Sequence, residues 1–143
     1  MPVIPTVPQP LILDNVDLKI GTKSLACVLN HIELNPDVAT VTVTTACGER
    51  DYPGAVKWSL VATLYQSFDT DATESVLSTA VAAGVPVAFE IMARRDVAVS
   101  VTNPKWTGTV IPMPYSPING DAGDSSTVDL EWSLVGAPVK VTT

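Results

Sequence analysis

Residues 56–65 read Val-Lys-Trp-Ser-Leu-Val-Ala-Thr-Leu-Tyr, and this stretch decides the fold class. Its even-numbered positions, from Val56 to Leu64, are all apolar, whereas most of its odd-numbered positions are polar. Because successive side chains of a β-strand point to opposite faces of the sheet, this alternation predicts a strand with one buried face.

The same period of two recurs on both sides of that strand. Asn35-Pro36-Asp37 is typical of a turn and is predicted to separate the strands that flank it. Further strands are predicted at residues 16–20, within 25–34, within 38–45, and at 87–92, 97–101, 106–113 and 128–134, with a short terminal strand that contains Val139 and Val141.

One segment, residues 71–84, has helical periodicity instead. Asp71 is predicted to cap its N-terminus with Glu74 as the capping-box partner, and Gly84 stands where a left-handed residue ends a helix. The small and apolar positions follow the spacing of an amphipathic helix: Thr73, Val76, Leu77, Ala80 and Val81. The predicted fold class is therefore mainly β, an antiparallel sandwich or barrel flanked by one α-helix at about residues 71–84.

The chain of 143 residues suits one domain preceded by an arm. Pro2, Pro5 and Pro8 recur at every third residue, which is the repeat of a polyproline II helix. We predict an extended Pro-rich N-terminal arm at residues 1–13 and a single β-sandwich domain at residues 14–143. The arm is either a solvated tail or a segment that buries its apolar side chains on another subunit; those side chains are Val3, Ile4, Leu11 and Ile12.

The charge balance excludes a surface that binds DNA through its phosphates. Fifteen acidic and eight basic residues give a net charge of −7, so a basic stripe for phosphates is absent. An excess of carboxylates instead suits a surface past which DNA moves without binding, because like charges repel. No apolar run reaches the length of a membrane helix, and no signal peptide is recognised at the start, so no membrane association is expected.

Catalytic and metal-binding motifs are not found. His31 is the only histidine and has no nucleophile motif beside it, and the acidic turn at residues 119–125 lacks the order of an EF-hand loop. Cys27 and Cys47 have no CxxC spacing and are interpreted as two small buried thiols, with a disulfide left open. We therefore expect no enzyme activity, no cofactor and no metal.

An ordered set of segments resembles a known family. Trp58-Ser59-Leu60 is followed by Tyr65-Gln66-Ser67-Phe68-Asp69 before the helix, and three later segments complete the pattern at residues 84–89, 106–110 and 128–138. In order and spacing, over about residues 40–139, they resemble the tail tube (major tail) proteins of long-tailed bacteriophages.

This resemblance implies a structural virion protein that self-assembles. Its subunits would close into rings, commonly hexameric, and the rings would stack into a hollow tube through which double-stranded DNA reaches the host. Part of the sheet would pair with neighbouring subunits in a continuous barrel around the channel. The protein would be assembled in the bacterial host cytoplasm and located in the virion tail, with tape measure, tail terminator and tail tip proteins as partners.

The resemblance also implies two sets of site residues. The wall of such tubes is usually acidic, and the candidates here are Asp17, Glu33, Asp129 and Glu131. At residues 48–53 the family carries a long loop that contacts the adjoining ring; here the loop is predicted to be short, with Arg50, Asp51 and Tyr52 as its contact residues. The N-terminal arm is the alternative stacking element.

Two other functions remain compatible with this composition. One is a different virion β-domain, such as a head decoration or tail-completion protein, which would form no tube. The other is an Ig-like surface binding module, which would be expected to carry a signal peptide or to belong to a longer chain.

Overall fold

Two antiparallel sheets form the protein in the computed structural model, which describes residue 8 and residues 10–143. The elements in chain order are β1 (Asp17–Ile20), β2 (Lys23–Ser24), a 3-10 turn (Ala26–Val28), β3 (Leu29–Thr45), β4 (Gly48–Tyr65), α1 (Thr73–Ala83), β5 (Val87–Met92), β6 (Lys105–Val110), β7 (Thr127–Ser133) and β8 (Val139–Val141). One sheet has the order β2-β1-β5-β6-β8 and the other the order β3-β4-β7. The mainly β prediction with a flanking helix is confirmed as a sandwich, and no closed barrel forms within the described residues.

The core lies between the inner faces of the two sheets. Leu60, Ala62 and Leu64 of β4 are fully buried, which confirms the alternation predicted from residues 56–65. Trp132 of β7 is 1% exposed, and its indole Nε1 donates a hydrogen bond to the backbone oxygen of Met113 at 3.0 Å. The core is completed by Leu18, Ile20, Leu25, Val76, Leu77, Phe89, Ile91, Val110, Val128 and Leu130.

The helix packs on this core through the predicted stripe, with Thr73, Val76 and Leu77 buried. Gly84 ends the helix in the left-handed region at φ 67°, as predicted. The predicted N-cap is wrong: Ala72 holds that position without a side-chain hydrogen bond, and the Asp71 carboxylate lies 3.2 Å from the ammonium of Lys23.

Glu74, the predicted capping-box partner, has a different role. Its carboxylate accepts hydrogen bonds from the side-chain amide of Gln66 and the hydroxyl of Tyr115, both at 3.0 Å. Burial and this carboxylate both raise the pKa of the Tyr115 phenol above its usual value. The network ties the helix to the segment that follows β6.

The predicted turn at Asn35-Pro36-Asp37 is wrong. These residues pair with Ser59, Trp58 and Lys57, so the strands predicted within residues 25–34 and 38–45 lie in one strand, β3, which begins at Leu29 after the 3-10 turn. The physical reason is that β3 is an edge strand. Pro36 has no backbone N–H, and an edge strand tolerates this at positions whose backbone groups face away from the neighbouring strand.

The strand predicted at residues 97–101 is a loop. Asn103 is 4% exposed, and its amide nitrogen donates to the backbone oxygens of Arg94, Val97 and Ala98 at 2.9 to 3.3 Å. The Asn103 side chain thus supplies hydrogen bonds to backbone carbonyl groups that a neighbouring strand would otherwise have to supply, so the segment is stable as a loop.

Candidate self-assembly surfaces

The outer face of the three-stranded sheet is acidic. Glu33 of β3 lies opposite Val61 of β4, and Val61 lies opposite Glu131 of β7, so the two carboxylates flank one residue. Asp129 lies on the same face and accepts a hydrogen bond from the Thr63 hydroxyl at 3.0 Å. These three acidic residues are exposed, whereas their strand neighbours point into the core.

Asp17 does not belong to that face. It lies on β1 in the other sheet, is 8% exposed, and accepts a hydrogen bond from the Ser24 hydroxyl. Because Leu18 and Ile20 fill the core side of β1, the Asp17 side chain is on the opposite outer face of the sandwich. The structure thus brings together Glu33, Asp129 and Glu131, and separates Asp17 from them.

The loop predicted at residues 48–53 is the start of an 18-residue strand. A two-residue connection, Ala46-Cys47, joins β3 to β4, and the register continues from Thr45 opposite Gly48 toward the core. The prediction of a short loop is therefore wrong, because the alternation of Thr and Val in residues 40–45 is matched by a complementary strand on the other side of Cys47.

We define the distal hairpin as residues 38–56. All of its residues are exposed except Gly54, which is half-buried. Strand β7 pairs only with Ser59–Tyr65 of β4, so the distal hairpin is two strands wide. A two-stranded ribbon is marginally stable alone in water, and its exposed valines favour contact with another chain.

The predicted contact residues in this region lie near the hairpin tip. Arg50 is opposite Val43, Asp51 is opposite Thr42 and Tyr52 is opposite Val41. The Asp51 carboxylate accepts a hydrogen bond from the Thr42 hydroxyl at 2.7 Å, and Tyr52 is 46% exposed. All three are accessible to a neighbouring molecule.

The three-stranded sheet has a long open edge at β3 and a partly open edge at β7. At β7 the Thr127 N–H donates to the Asn119 oxygen and the Ser133 oxygen accepts from the Ile111 N–H, so only Asp129–Glu131 is open. The edge strands of this sheet are β3, with 17 residues, and β7, with seven, whereas the edge strands of the other sheet have only two and three residues. Short edge strands protect a sheet from further pairing, and long exposed ones favour it. Sequence patterning could predict these strands but not which of them lie at an edge.

An apolar groove of about 700 Å³ opens between the sheets beside β3. Its walls include Ile32 and Leu34 of β3 and Trp106 of β6. Of the predicted arm residues, Leu11 lies at this groove and is 64% exposed, and Ile12 is 63% exposed. Val3 and Ile4 lie outside the described residues.

Comparisons with known proteins identify the architecture. No protein-family model and no curated protein matches the sequence. A chain of the sheath-tube complex of the extracellular contractile injection system PVC, in its extended state, matches the structure with TM-score 0.70 and 13% identity, over 96% of this chain and 95% of that chain. This chain therefore shares its fold with a component of a phage-tail-like particle. Its fold is also similar to a chain of the tube-terminating cap of the anti-feeding prophage (TM-score 0.68, 8% identity, 99% and 97% coverage) and to a chain of the native gene transfer agent virion (0.65, 13%, 89% and 95%).

The residues with catalytic potential are dispersed over the described part of the chain. His31 is exposed, and its Nε2 lies 3.7 Å from the Glu33 carboxylate. Cys27 and Cys47 are both free and exposed, so their predicted burial is wrong; one lies in the 3-10 turn and the other in the hairpin connection. In the part of the chain that the structure describes, no three His, Cys, Asp or Glu residues are grouped to hold a metal ion, and no helix is long and apolar enough to cross a membrane.

Proposed function

We propose that this protein is the tube subunit of a phage-tail-like particle, a structural protein without catalytic activity. The observation that carries the proposal is the three-stranded sheet, which has a long open edge at β3, a shorter open edge at Asp129–Glu131 of β7, one acidic outer face and a projecting hairpin. Similarity of fold to chains of a sheath-tube complex, a tube-terminating cap and a gene transfer agent virion supports it.

In this proposal the ring closes through the sheet edges. The β3 edge of one copy pairs with the β7 edge of the next, a head-to-tail contact whose repetition can close into a ring. Strands β3 and β7 are each antiparallel to β4, so they run in the same direction within one subunit. Rotation about the ring axis keeps that direction, so β3 of one copy and β7 of the next would pair as parallel strands. Six copies of a three-stranded sheet would give a barrel of about 18 strands, a size that leaves an aqueous channel.

The acidic face would line that channel. Glu33, Asp129 and Glu131 would then present carboxylates toward the passing DNA, and their repulsion of phosphates would prevent adhesion. Asp17, on the opposite outer face, would lie away from the channel. The distal hairpin, with Arg50, Asp51 and Tyr52, would contact the adjoining ring together with the N-terminal arm at residues 1–13.

The proposed role places the protein in the tail of a particle assembled in the cytoplasm of a bacterial host. Rings stacked on one another would deliver double-stranded DNA from the head to the recipient cell. A tape measure protein, a tail terminator and a tail tip complex would be its partners.

Immunogold labelling of the parent particle tests this role. A tube subunit predicts label along the full length of the tail, and negative-stain images of the concentrated purified protein should show uniform rings or tubes. Label confined to the capsid would contradict the proposal and would favour a head decoration protein.

A second candidate is a tail-terminating cap, because a chain of a tube-terminating cap has a similar fold (TM-score 0.68). A cap predicts label at one end of the tail only, and a single ring with no extended tubes from the purified protein.

Reversing charge on the acidic face should make assembled protein retain DNA. We expect the E33K/D129K/E131K variant to bind labelled duplex DNA in a salt-dependent manner, with log K falling by about 0.9 per log unit of salt for each phosphate neutralised. Fluorescence anisotropy of assembled protein over a salt series measures this. Reversal of three exposed acids outside that sheet, D69K/D121K/D124K, is the control; equal DNA retention by the two variants would show that the sheet face does not line the channel.

Removing the arm should impair polymerisation without unfolding the domain. The 1–10 deletion leaves every core residue in place, so the shortened protein should still unfold in one cooperative transition. Sedimentation of assembled protein should show a reduced yield of tubes. A deletion of residues 142–143, beyond β8, is the control for shortening the chain. If the two deletion variants give the same tube yield, the arm is not an assembly contact.

A further inference from the structure

The groove beside β3 is unfilled by the described part of the chain. Ile91 is 8% exposed at the groove, and Ile32, Leu34 and Trp106 are only half-buried although they face the sandwich interior. Among the described residues that line it, only Glu33 and Arg94 are charged. An apolar cavity of about 700 Å³ with so few charges suits an apolar, uncharged occupant.

The N-terminal segment of the chain has the properties of such an occupant. Pro10, Leu11 and Leu13 line the groove, so the segment before residue 10 starts at its rim. That segment, residues 1–9, reads Met-Pro-Val-Ile-Pro-Thr-Val-Pro-Gln and contains no charged side chain. Its prolines at every third position favour a polyproline II conformation, which loses little entropy on binding.

We propose that residues 1–7, which precede the exposed Pro8, dock in the groove of their own subunit before assembly. Proline-rich segments bind grooves lined by aromatic side chains, and Trp106, with Pro104 beside it, supplies that surface here. The nine residues before Pro10 span about 28 Å in polyproline II conformation, which is long enough to fold back along the groove. A short tether also gives an effective concentration in the millimolar range, so in dilute solution the chain's own arm outcompetes a neighbour's.

This docking does not depend on the proposed tube. If the proposed tube is right, however, the arm must leave its own groove when it contacts an adjoining subunit. The exchange of an identical segment between copies would leave the groove filled in both states, at little cost in free energy.

Paramagnetic relaxation enhancement on the full chain in dilute solution tests the proposal. In a C27S/C47S background, which removes both exposed thiols, a nitroxide is attached at V3C. We expect the amide signals of Ile91, Val97 and Trp106 to lose most of their intensity, and those of the distal hairpin to be unaffected. Mixing isotope-labelled protein that lacks the nitroxide with spin-labelled protein that lacks the isotope should show no loss.

A matched pair of variants links the effect to the groove. Val97 lines the groove and is 45% exposed, whereas Val101 in the same loop does not line it and is 78% exposed. V97K should therefore reduce the signal loss, and V101K should leave it intact. Absence of signal loss at the groove, loss in the mixed sample, or equal effects of V97K and V101K would each overturn docking in the same subunit.

Discussion

Replacing residues 38–56 by Asn-Gly should abolish ring stacking while the domain stays folded. The Trp58 oxygen accepts from Leu134 on the β7 side, so the backbone groups of Lys57 face β3 and its partner Asp37, and a two-residue turn can connect this pair in the register that the strands already have. No residue in the removed segment belongs to the core. We therefore expect a cooperative unfolding transition to persist by circular dichroism, with tubes absent from electron micrographs.

Two controls separate loss of contact from loss of structure. Replacing residues 121–124, an exposed turn far along the chain from the hairpin, by Asn-Gly should leave assembly intact. A V41K/V43K variant retains the full hairpin but charges two valines that are 50% and 42% exposed, and it should also fail to stack. Tubes formed by the truncated protein would show that the distal hairpin is not an assembly contact.

Replacing Leu77 by Ala should cause the largest loss of stability among the substitutions considered. Leu77 is fully buried on the face of α1 that packs against the core. Removing its side chain should lower the free energy of unfolding by about 2–5 kcal/mol, because apolar burial is lost and a cavity remains. Urea denaturation of the two proteins measures the difference.

Val85 provides the matched control for this substitution. It follows the same helix but is 58% exposed, so V85A should change the free energy of unfolding by less than about 0.5 kcal/mol. A loss well under about 1 kcal/mol for L77A would mean that the buried face of the helix is assigned wrongly.

Local periodicity was sufficient to predict most strands and the helix. Leu60, Ala62 and Leu64 repeat every second residue, and Val76 and Leu77 follow helical spacing, so burial of one face dictates the conformation of each segment. The same reasoning failed at Asn35-Pro36-Asp37 and at residues 48–53. There the outcome depended on whether a strand lay at an edge and on what paired with it, which turn propensity does not encode.

The candidate site was predictable only in part. The acidic residues and the arm could be proposed from composition and from the resemblance to tail tube proteins, and the fold comparisons support that architecture. No local pattern distinguishes Asp17 from Glu131, because each is an acidic residue between apolar neighbours in a strand. Their placement on opposite outer faces follows from the sheet in which each strand is paired.

Side-chain periodicity and net charge are local or additive properties, so they were sufficient to predict a mainly β fold with one helix and a negative charge. The long hairpin of β3 and β4, the shared face of three carboxylates and the groove beside residues 10–13 are visible only in the folded chain. Each of these features depends on which strands, distant in sequence, become neighbours in the sheets, and the packing of the whole core determines that pairing.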